Sequence, residues 1–263
     1  MRINPLKTTL KTGQASYGAW LSIPSLETAR AMSRQGFDWL TVDCEHTAFT
    51  PNLMAQMVGV IADSGGSAPL VRLPSKRSEE WFKWALDAGA WGVIVPYVNT
   101  AAEAAQAVEW CKYPPVGKRS YGAYFASSSF GTNAGEYLQT ANDQIAVIVQ
   151  IETVEAIKNL ENIASVPGLD ALFVGPNDLH LSLGLPPSNE GSEPEFLAAL
   201  EQIKSVAKAH SLGLGIYTSG GEAAAKRVAE GFNMVSVMAD LSVMMQGAQS
   251  NLRAARDSEE KHG

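Results

Sequence analysis

The chain has 263 residues, 46% of them hydrophobic and 18% charged, enough to bury a sizeable core as one large α/β barrel or two smaller domains. Its formal net charge of −7 disfavours nucleic acid or an anionic membrane as partner, since a phosphate backbone demands a basic face. The opening MRINPLKTTL lacks a hydrophobic signal core, no apolar run is long enough for a bilayer, and Cys44 and Cys111 form neither a disulfide framework nor a zinc-finger spacing, so the expectation is a cytoplasmic protein with reduced thiols.

Apolar, β-prone runs alternate with helical patterns along the chain. In order, AWLSI precedes a helical stretch over residues 26–35, FDWLTVD one over 52–62, APLVR one over 78–87 and GVIVPYV one over 101–110. IAVIVQI then leads into 154–164, ALFVG into 195–210, LGLGIY into 221–229, and MVSVM into the Met-rich apolar stretch ADLSVMMQGAQSNL. Strands joined through helices run parallel. Eight such units in this length match the α/β class of the (β/α)₈ TIM barrel better than a doubly wound open sheet, and residues 1–263 read as one domain. Two segments depart from the repeat. Residues 113–143, rich in Gly, Ser, Tyr and Phe, are too long for an ordinary connection and point to a functional or interface element. The Pro/Gly/Glu-rich LGLPPSNEGSEPE should reach over the barrel rim, and the charged tail RAARDSEEKHG should fray.

In parallel barrels the reactive groups sit where strands end. VQIET and FVGPNDL each close an apolar run with one carboxylate, Glu152 and Asp178, so two neighbouring strands bring two hard oxygen donors to one rim. Mg²⁺ or Mn²⁺ prefers such donors, and Co²⁺ or Zn²⁺ accepts them; the alternative is a pair of helix N-caps. The second strand ends in Asp43, Glu45 and His46, the third in Arg72. The planar fork of Arg72 suits an α-keto acid or enolate oxygen as well as a salt bridge at the core edge. His46 is a structural histidine or a general base, with Asp43 and Glu45 as acids able to orient its ring. Cys44 and His46 lack a third soft ligand for zinc. Asp87 ends a helical stretch, where the helix dipole disfavours a carboxylate; it has another duty or is a solvated helix end. Gly175 lets backbone approach a ligand, and the amides after it can bind a carboxylate. Gln150, Pro176 and Asn177 share this rim, and Trp20, ending the first strand, is placed to cover an apolar ligand face.

Taken together, GAWLSIPS, FDWLTVDCEH, PLVRLP, ALDAGAWGVIVPYVNTAAEA, YPPVGKRSYG, NDQIAVIVQIETVEAIKNL, GLDALFVGPNDL and MVSVMAD resemble the HpcH/HpaI aldolases, the metal-dependent class II pyruvate aldolases, over nearly the whole chain. The resemblance implies a (β/α)₈ barrel and a homo-oligomer, commonly a hexamer built as a trimer of dimers with the last helix exchanged between barrels. It implies metal ligands at Glu152 and Asp178, a pyruvate-binding arginine at Arg72, a base at His46, the acid pairing with that base at Asp87, and an acid behind the metal site at Asp43. Gln150, Gly175 and Pro176 match the pocket lining and Trp20 the aromatic beside the pyruvate methyl. Cys44, where bacterial members often carry Gly, and Tyr217 and Thr218, where they carry aliphatic residues, depart from the family where it reads the aldehyde.

The activity so implied is reversible aldol cleavage of a 4-hydroxy-2-oxo acid to pyruvate and an aldehyde, with small molecules as the only ligands and neither nucleic acid nor membrane as partner. His46 removes the C4 hydroxyl proton and Arg72 supports the enolate. Decarboxylation of oxaloacetate, or a biosynthetic use of the enolate, would employ the same site. A lyase acting on a CoA thioester lacks a basic patch for the nucleotide, and no lysine closes a central strand to form a Schiff base. A silent barrel serving only in assembly would not need this full set of polar groups.

Overall fold

Eight parallel strands close into a barrel in the sequential order β1 to β8, each paired with its neighbours in the chain and β1 with β8. This computed structural model describes residues 1–122 and 124–260. The elements are α1 (Pro5–Thr12), β1 (Ser16–Leu21), α2 (Leu26–Met32), β2 (Trp39–Asp43), α3 (Pro51–Ser64), β3 (Ala68–Arg72), α4 (Glu79–Asp87), β4 (Gly92–Val95) and α5 (Ala101–Cys111). They continue with α6 (Tyr124–Ser129), α7 (Ala134–Gln144), β5 (Ala146–Ile151), α8 (Val154–Lys158), α9 (Leu160–Ala164), β6 (Ala171–Val174), α10 (Pro176–Ser182), α11 (Pro194–Ala209), β7 (Gly213–Ile216), α12 (Gly221–Ala229), β8 (Met234–Ala239) and α13 (Asp240–Glu260). The (β/α)₈ architecture is thus the one expected.

The strands are nearly unbroken apolar runs because helices cover them outside and their own side chains fill them inside. Val42, Leu70, Val93, Ile148, Phe173 and Val235 are all fully buried, each contributing roughly 1.5–3 kcal/mol relative to exposure. Several local boundaries differ from the sequence expectation. The run GVIVPYV ends as a strand at Val95, because Pro96 cannot donate to the ladder and Tyr97 turns to a positive φ of 53°. The helix expected over 154–164 breaks at Asn159 into α8 and α9, and that over 26–35 stops at Met32.

The long segment over 113–143 carries two helices, α6 and α7. An additional helix, α1, lies against the N-terminal end of the barrel. Its Asn4 cap donates to Trp91 O and Gln144 O, and Leu10 packs against Gly213 at the start of β7. Asn-Pro at residues 4 and 5 is a helix-start signal.

The last helix, α13, is rooted by Asp240, whose carboxylate accepts from Ser22 N and Ile23 N in the β1–α2 loop. Beyond that root, Val243, Met244, Met245 and Leu252 are exposed, so the helix does not fold back onto its own barrel. It stays helical through Glu260, against the expectation of a frayed tail; residues 261–263 of that tail lie outside the described residues. Among the described residues no helix is long and apolar enough to cross a membrane.

Candidate active site

A cavity of about 370 Å³ opens at the C-terminal ends of the strands and is lined by Trp20, Asp43, His46, Arg72, Gln150, Glu152, Gly175, Pro176, Asn177 and Asp178. Topology gathers them. Asp43 and Arg72 are register partners that close β2 and β3, Glu152 directly follows β5, and Gly175 to Asp178 follow β6.

On one side, Arg72 is clamped between two carboxylates. Its Nε and Nη2 donate to Asp43 at 2.8 and 2.7 Å, and its Nη1 lies 2.8 Å from Glu45. The Arg72 Cζ sits 4.5 Å from the centroid of Trp20, so one face of the guanidinium is covered as well. Burial would lower the pKa of this guanidinium, but the Asp43 and Glu45 charges more than offset it and the shift is upward. Two of its five N–H donors are hydrogen-bonded to Asp43 and Nη1 is ion-paired with Glu45, which leaves donors for a ligand oxygen. Asp43 Oδ1 also accepts from Glu45 N at 3.2 Å, an Asx-type turn that folds the DCEH segment round the carboxylate. His46 is thereby presented at the mouth with its side chain 62% exposed and Nε2 3.7 Å from Glu45 Oε2.

On the opposite side stand the two candidate ligand carboxylates. Neither is a helix cap: Thr153 caps α8 with its hydroxyl, Gly175 occupies the cap position of α10, and Asp178 lies in the first turn of that helix. GPND is therefore the start of a helix, not a free loop. Glu152 is buried, accepts from Tyr97 N at 2.7 Å and from Gln150 Nε2 at 3.0 Å, and has its pKa pushed up to about 8, first by burial and then by the Glu45 and Asp178 charges. Any Cβ at Gly175 would overlap Glu152 Oε2 and crowd Gln150 Nε2, so only glycine fits there.

A divalent cation suits this set. Besides burial, the neighbouring Glu45 and Asp178 charges raise the Glu152 carboxyl, a cost that a bound cation removes. Gln150 Oε1, in the same lining, is a buried acceptor without a protein partner. Among the described residues no group of three His, Cys, Asp or Glu side chains forms a full cage. Two carboxylates would leave the remaining positions of a divalent cation to water and substrate. Cys44 is buried and its thiol is raised to about 12, mainly by burial, which leaves it inert.

Tyr97, which sequence reasoning did not single out, bridges the two carboxylates: its N–H meets Glu152, its phenol donates to Asp178 Oδ1 at 2.7 Å, and Lys76 Nζ donates to its carbonyl at 2.6 Å. Holding a tyrosine at φ 53° costs on the order of 1–3 kcal/mol and persists only because those contacts over-determine it. Ser22, Asn189 and Tyr217 also line the cavity. Asn189 comes from the Pro/Gly-rich loop, which does reach over the rim: its Oδ1 accepts from Asn177 Nδ2 at 2.8 Å. The loop is held at its far end by His180, buried on α10, whose ring nitrogens contact Pro176 O and Glu193 Oε2.

Asp87 is not part of this mouth. It ends α4 and precedes the start of β4, so it lies at the opposite end of the barrel, ion-paired with the buried Arg119 at 2.8 Å. Within one chain the structure does not bring Asp87 to His46. The reason is topological: a helix after a strand runs back from the mouth, so its C-terminus lies at the strands' N-terminal end.

Comparison with known proteins agrees with this geometry. The model of the family described as HpcH/HpaI aldolase/citrate lyase matches residues 16–247. A hydroxypyruvate/pyruvate aldolase of Paraburkholderia phytofirmans is 36% identical over 96% of this chain and 98% of its own. A 4-hydroxy-2-oxo-heptane-1,7-dioate aldolase of Shigella sonnei is likewise 36% identical, over 94% of this chain and 93% of its own. The crystal structure of an HpcH/HpaI aldolase/citrate lyase family protein from Burkholderia cenocepacia superposes with a TM-score of 0.85 at 35% identity, covering 96% of this chain and 99% of that one. A closed barrel with acids, guanidinium and imidazole at its strand ends, and full-length similarity on both sequence and structure, lead to one assignment: the chain belongs to the HpcH/HpaI aldolase/citrate lyase family.

Proposed function

We propose that the chain is a class II pyruvate aldolase, a carbon–carbon lyase that reversibly cleaves a 4-hydroxy-2-oxo acid to pyruvate and an aldehyde. The observation carrying this reading is the placement of the Glu152 and Asp178 carboxylates and the clamped Arg72 around one cavity. Glu152 and Asp178 would hold Mg²⁺ or Mn²⁺; when bound, such a cation polarises the 2-oxo group and offsets the charge of an enolate. Arg72, fixed by two hydrogen bonds to Asp43 and an ion pair with Glu45, aims its remaining donors at the developing enolate oxygen without reorganising, the electrostatic term expected to dominate. Trp20, packed edge-on against Phe173 and Tyr217, offers an apolar wall for the pyruvate methyl. His46 takes the proton from the C4 hydroxyl as the C3–C4 bond breaks, and returns it in the synthetic direction. Gln150, Gly175, Pro176 and Asn177 shape the pyruvate end.

Asp87 can serve His46 only between two chains, so its proposed role goes with a homo-oligomer, for which the hexamer of the family is our reading. Decarboxylation of oxaloacetate would use the same enolate support without needing the C4 base. Incubating the protein with pyruvate, Mn²⁺ or Mg²⁺ and a panel of aldehydes, with products identified by mass, tests the reading. Formation of 4-hydroxy-2-oxo acids that stops on chelation is expected; no condensation product with any aldehyde would refute it.

A further inference from the structure

We propose that Tyr97 is a positioning residue that sets the two metal-ligating carboxylates in place before a cation arrives; this rests on the reading of Glu152 and Asp178 as ligands. One residue addresses both acids, its main-chain N–H on Glu152 Oε1 and its phenol on Asp178 Oδ1, each at 2.7 Å. The positive φ of 53° is what turns N–H and ring towards the two acids at once, since a β-region backbone here would continue β4. The bend is pinned from outside. Lys76 holds the Tyr97 carbonyl and pairs with Glu103 at 2.6 Å, Glu103 accepts from Asn99 N, and Thr153, the residue after Glu152, donates to Asn99 Oδ1. Occupying Oδ1 leaves Oδ2 of Asp178, which no hydrogen bond engages among the described residues, as the oxygen available to a cation. Partners behind a ligating carboxylate fix its orientation, and their loss typically costs 10–100-fold in metal affinity, roughly speaking.

The test is Mn²⁺ titration of the full-length protein, followed by the EPR signal of free Mn²⁺, in wild type and Tyr97→Phe. Phenylalanine keeps the ring and the backbone N–H and removes only the hydroxyl. We expect the dissociation constant to rise about tenfold or more in Tyr97→Phe. The metal-free melting temperature should stay unchanged, and turnover should recover at saturating Mn²⁺, so that the loss appears in the metal activation constant and not in kcat. Unchanged affinity overturns the proposal, and tighter binding does so as well, because the phenol would then be a competitor of the metal. If Tyr97→Phe lowers the metal-free melting temperature, Tyr97→His decides: restored Mn²⁺ affinity from the new donor supports positioning, and no restoration overturns it. Glu152→Gln and Asp178→Asn separate the two levels of the argument. If these leave Mn²⁺ binding intact, or wild type binds none, the metal assignment itself falls and takes the Tyr97 role with it; if they abolish binding while Tyr97→Phe does not weaken it, only the Tyr97 role falls.

Discussion

Asp43 and Arg72 are paired in register as the last residues of adjacent strands, and their side chains meet in a two-point carboxylate–guanidinium contact at 2.7 and 2.8 Å. The strand ladder therefore sets the orientation of the fork, and a lysine cannot reproduce it. Arg72→Lys should slow exchange of the pyruvate methyl protons by about 10²-fold, the scale of losing one preorganised donor, while Mn²⁺ affinity stays near wild type. An unchanged exchange rate would return Arg72 to a purely structural salt bridge.

Glu152→Ala and Asp178→Ala should each abolish metal-dependent turnover while the barrel still unfolds cooperatively near the wild-type temperature. Both residues stand beyond the strand ends and take no part in the apolar core. Activity together with circular-dichroism melting checks this, and near-normal turnover that chelators still suppress would place the metal elsewhere.

The raised Glu152 gives a signed pH dependence. Its folded pKa of about 8 lies above the ordinary 4.5, so the metal-free folded state binds more protons than the unfolded chain between those values, and stability drains away as pH rises through that window. Between about pH 6 and 8 the melting temperature of chelator-treated protein should fall. Mn²⁺ should stabilise most at the upper end, with proton release on binding, because the cation selects the carboxylate. Calorimetric Mn²⁺ titrations in two buffers of different ionisation enthalpy report that release; identical heats in both would contradict the assignment.

His46→Ala should reduce aldol cleavage by about 10²–10⁴-fold, the usual range for a lost general base, and oxaloacetate decarboxylation much less, because only cleavage removes a C4 hydroxyl proton. Equal losses in the two reactions would remove His46 from the role of cleavage base.

Light scattering should find an oligomer of the full chain, and a chain ending before Leu241, lacking the exposed Val243, Met244 and Met245, should dissociate or shrink in order. Two inactive proteins, His46→Ala and Asp87→Ala, should regain activity when mixed and reassembled, since some sites would then hold both wild-type groups. A monomeric full chain ends the oligomer reading, and mixing without recovery ends the inter-chain role of Asp87.

Much of this site could be read from the chain because a parallel strand delivers whatever residue closes it to one rim. Glu152, Arg72 and Asp43 needed only correct strand ends, and Asp178 only a strand followed by a short turn. Tyr97 escaped notice because its part depends on a positive φ, which no side-chain pattern reports; the Pro96 that cuts β4 short was the available signal. Asp87 shows the converse. Its place at a helix end and the family resemblance marked it out, yet the back-running direction of α4 already placed it away from the mouth. The exposure of α13 was beyond the reach of composition, since Met and Val serve equally on an inner and an outer face.

The buried His180 joins Pro176 O, at the head of the helix bearing Asp178, to Glu193, at the end of the loop that brings Asn189 to the cavity. A Cβ at Gly191 would run into that imidazole, so the loop returns to the barrel along one path. Between Gly184 and Gly191, however, the chain is tethered to the rest of the rim chiefly through side chains, Asn189 on Asn177 and Glu190 on Ser219. Insertions, deletions and exchanges there can remodel the wall of the cavity that Asn189 supplies while Asp178 keeps its anchorage. Selection, natural or in the laboratory, is thereby offered a stretch in which the shape of the cavity mouth can drift independently of the carboxylates and guanidinium beneath it.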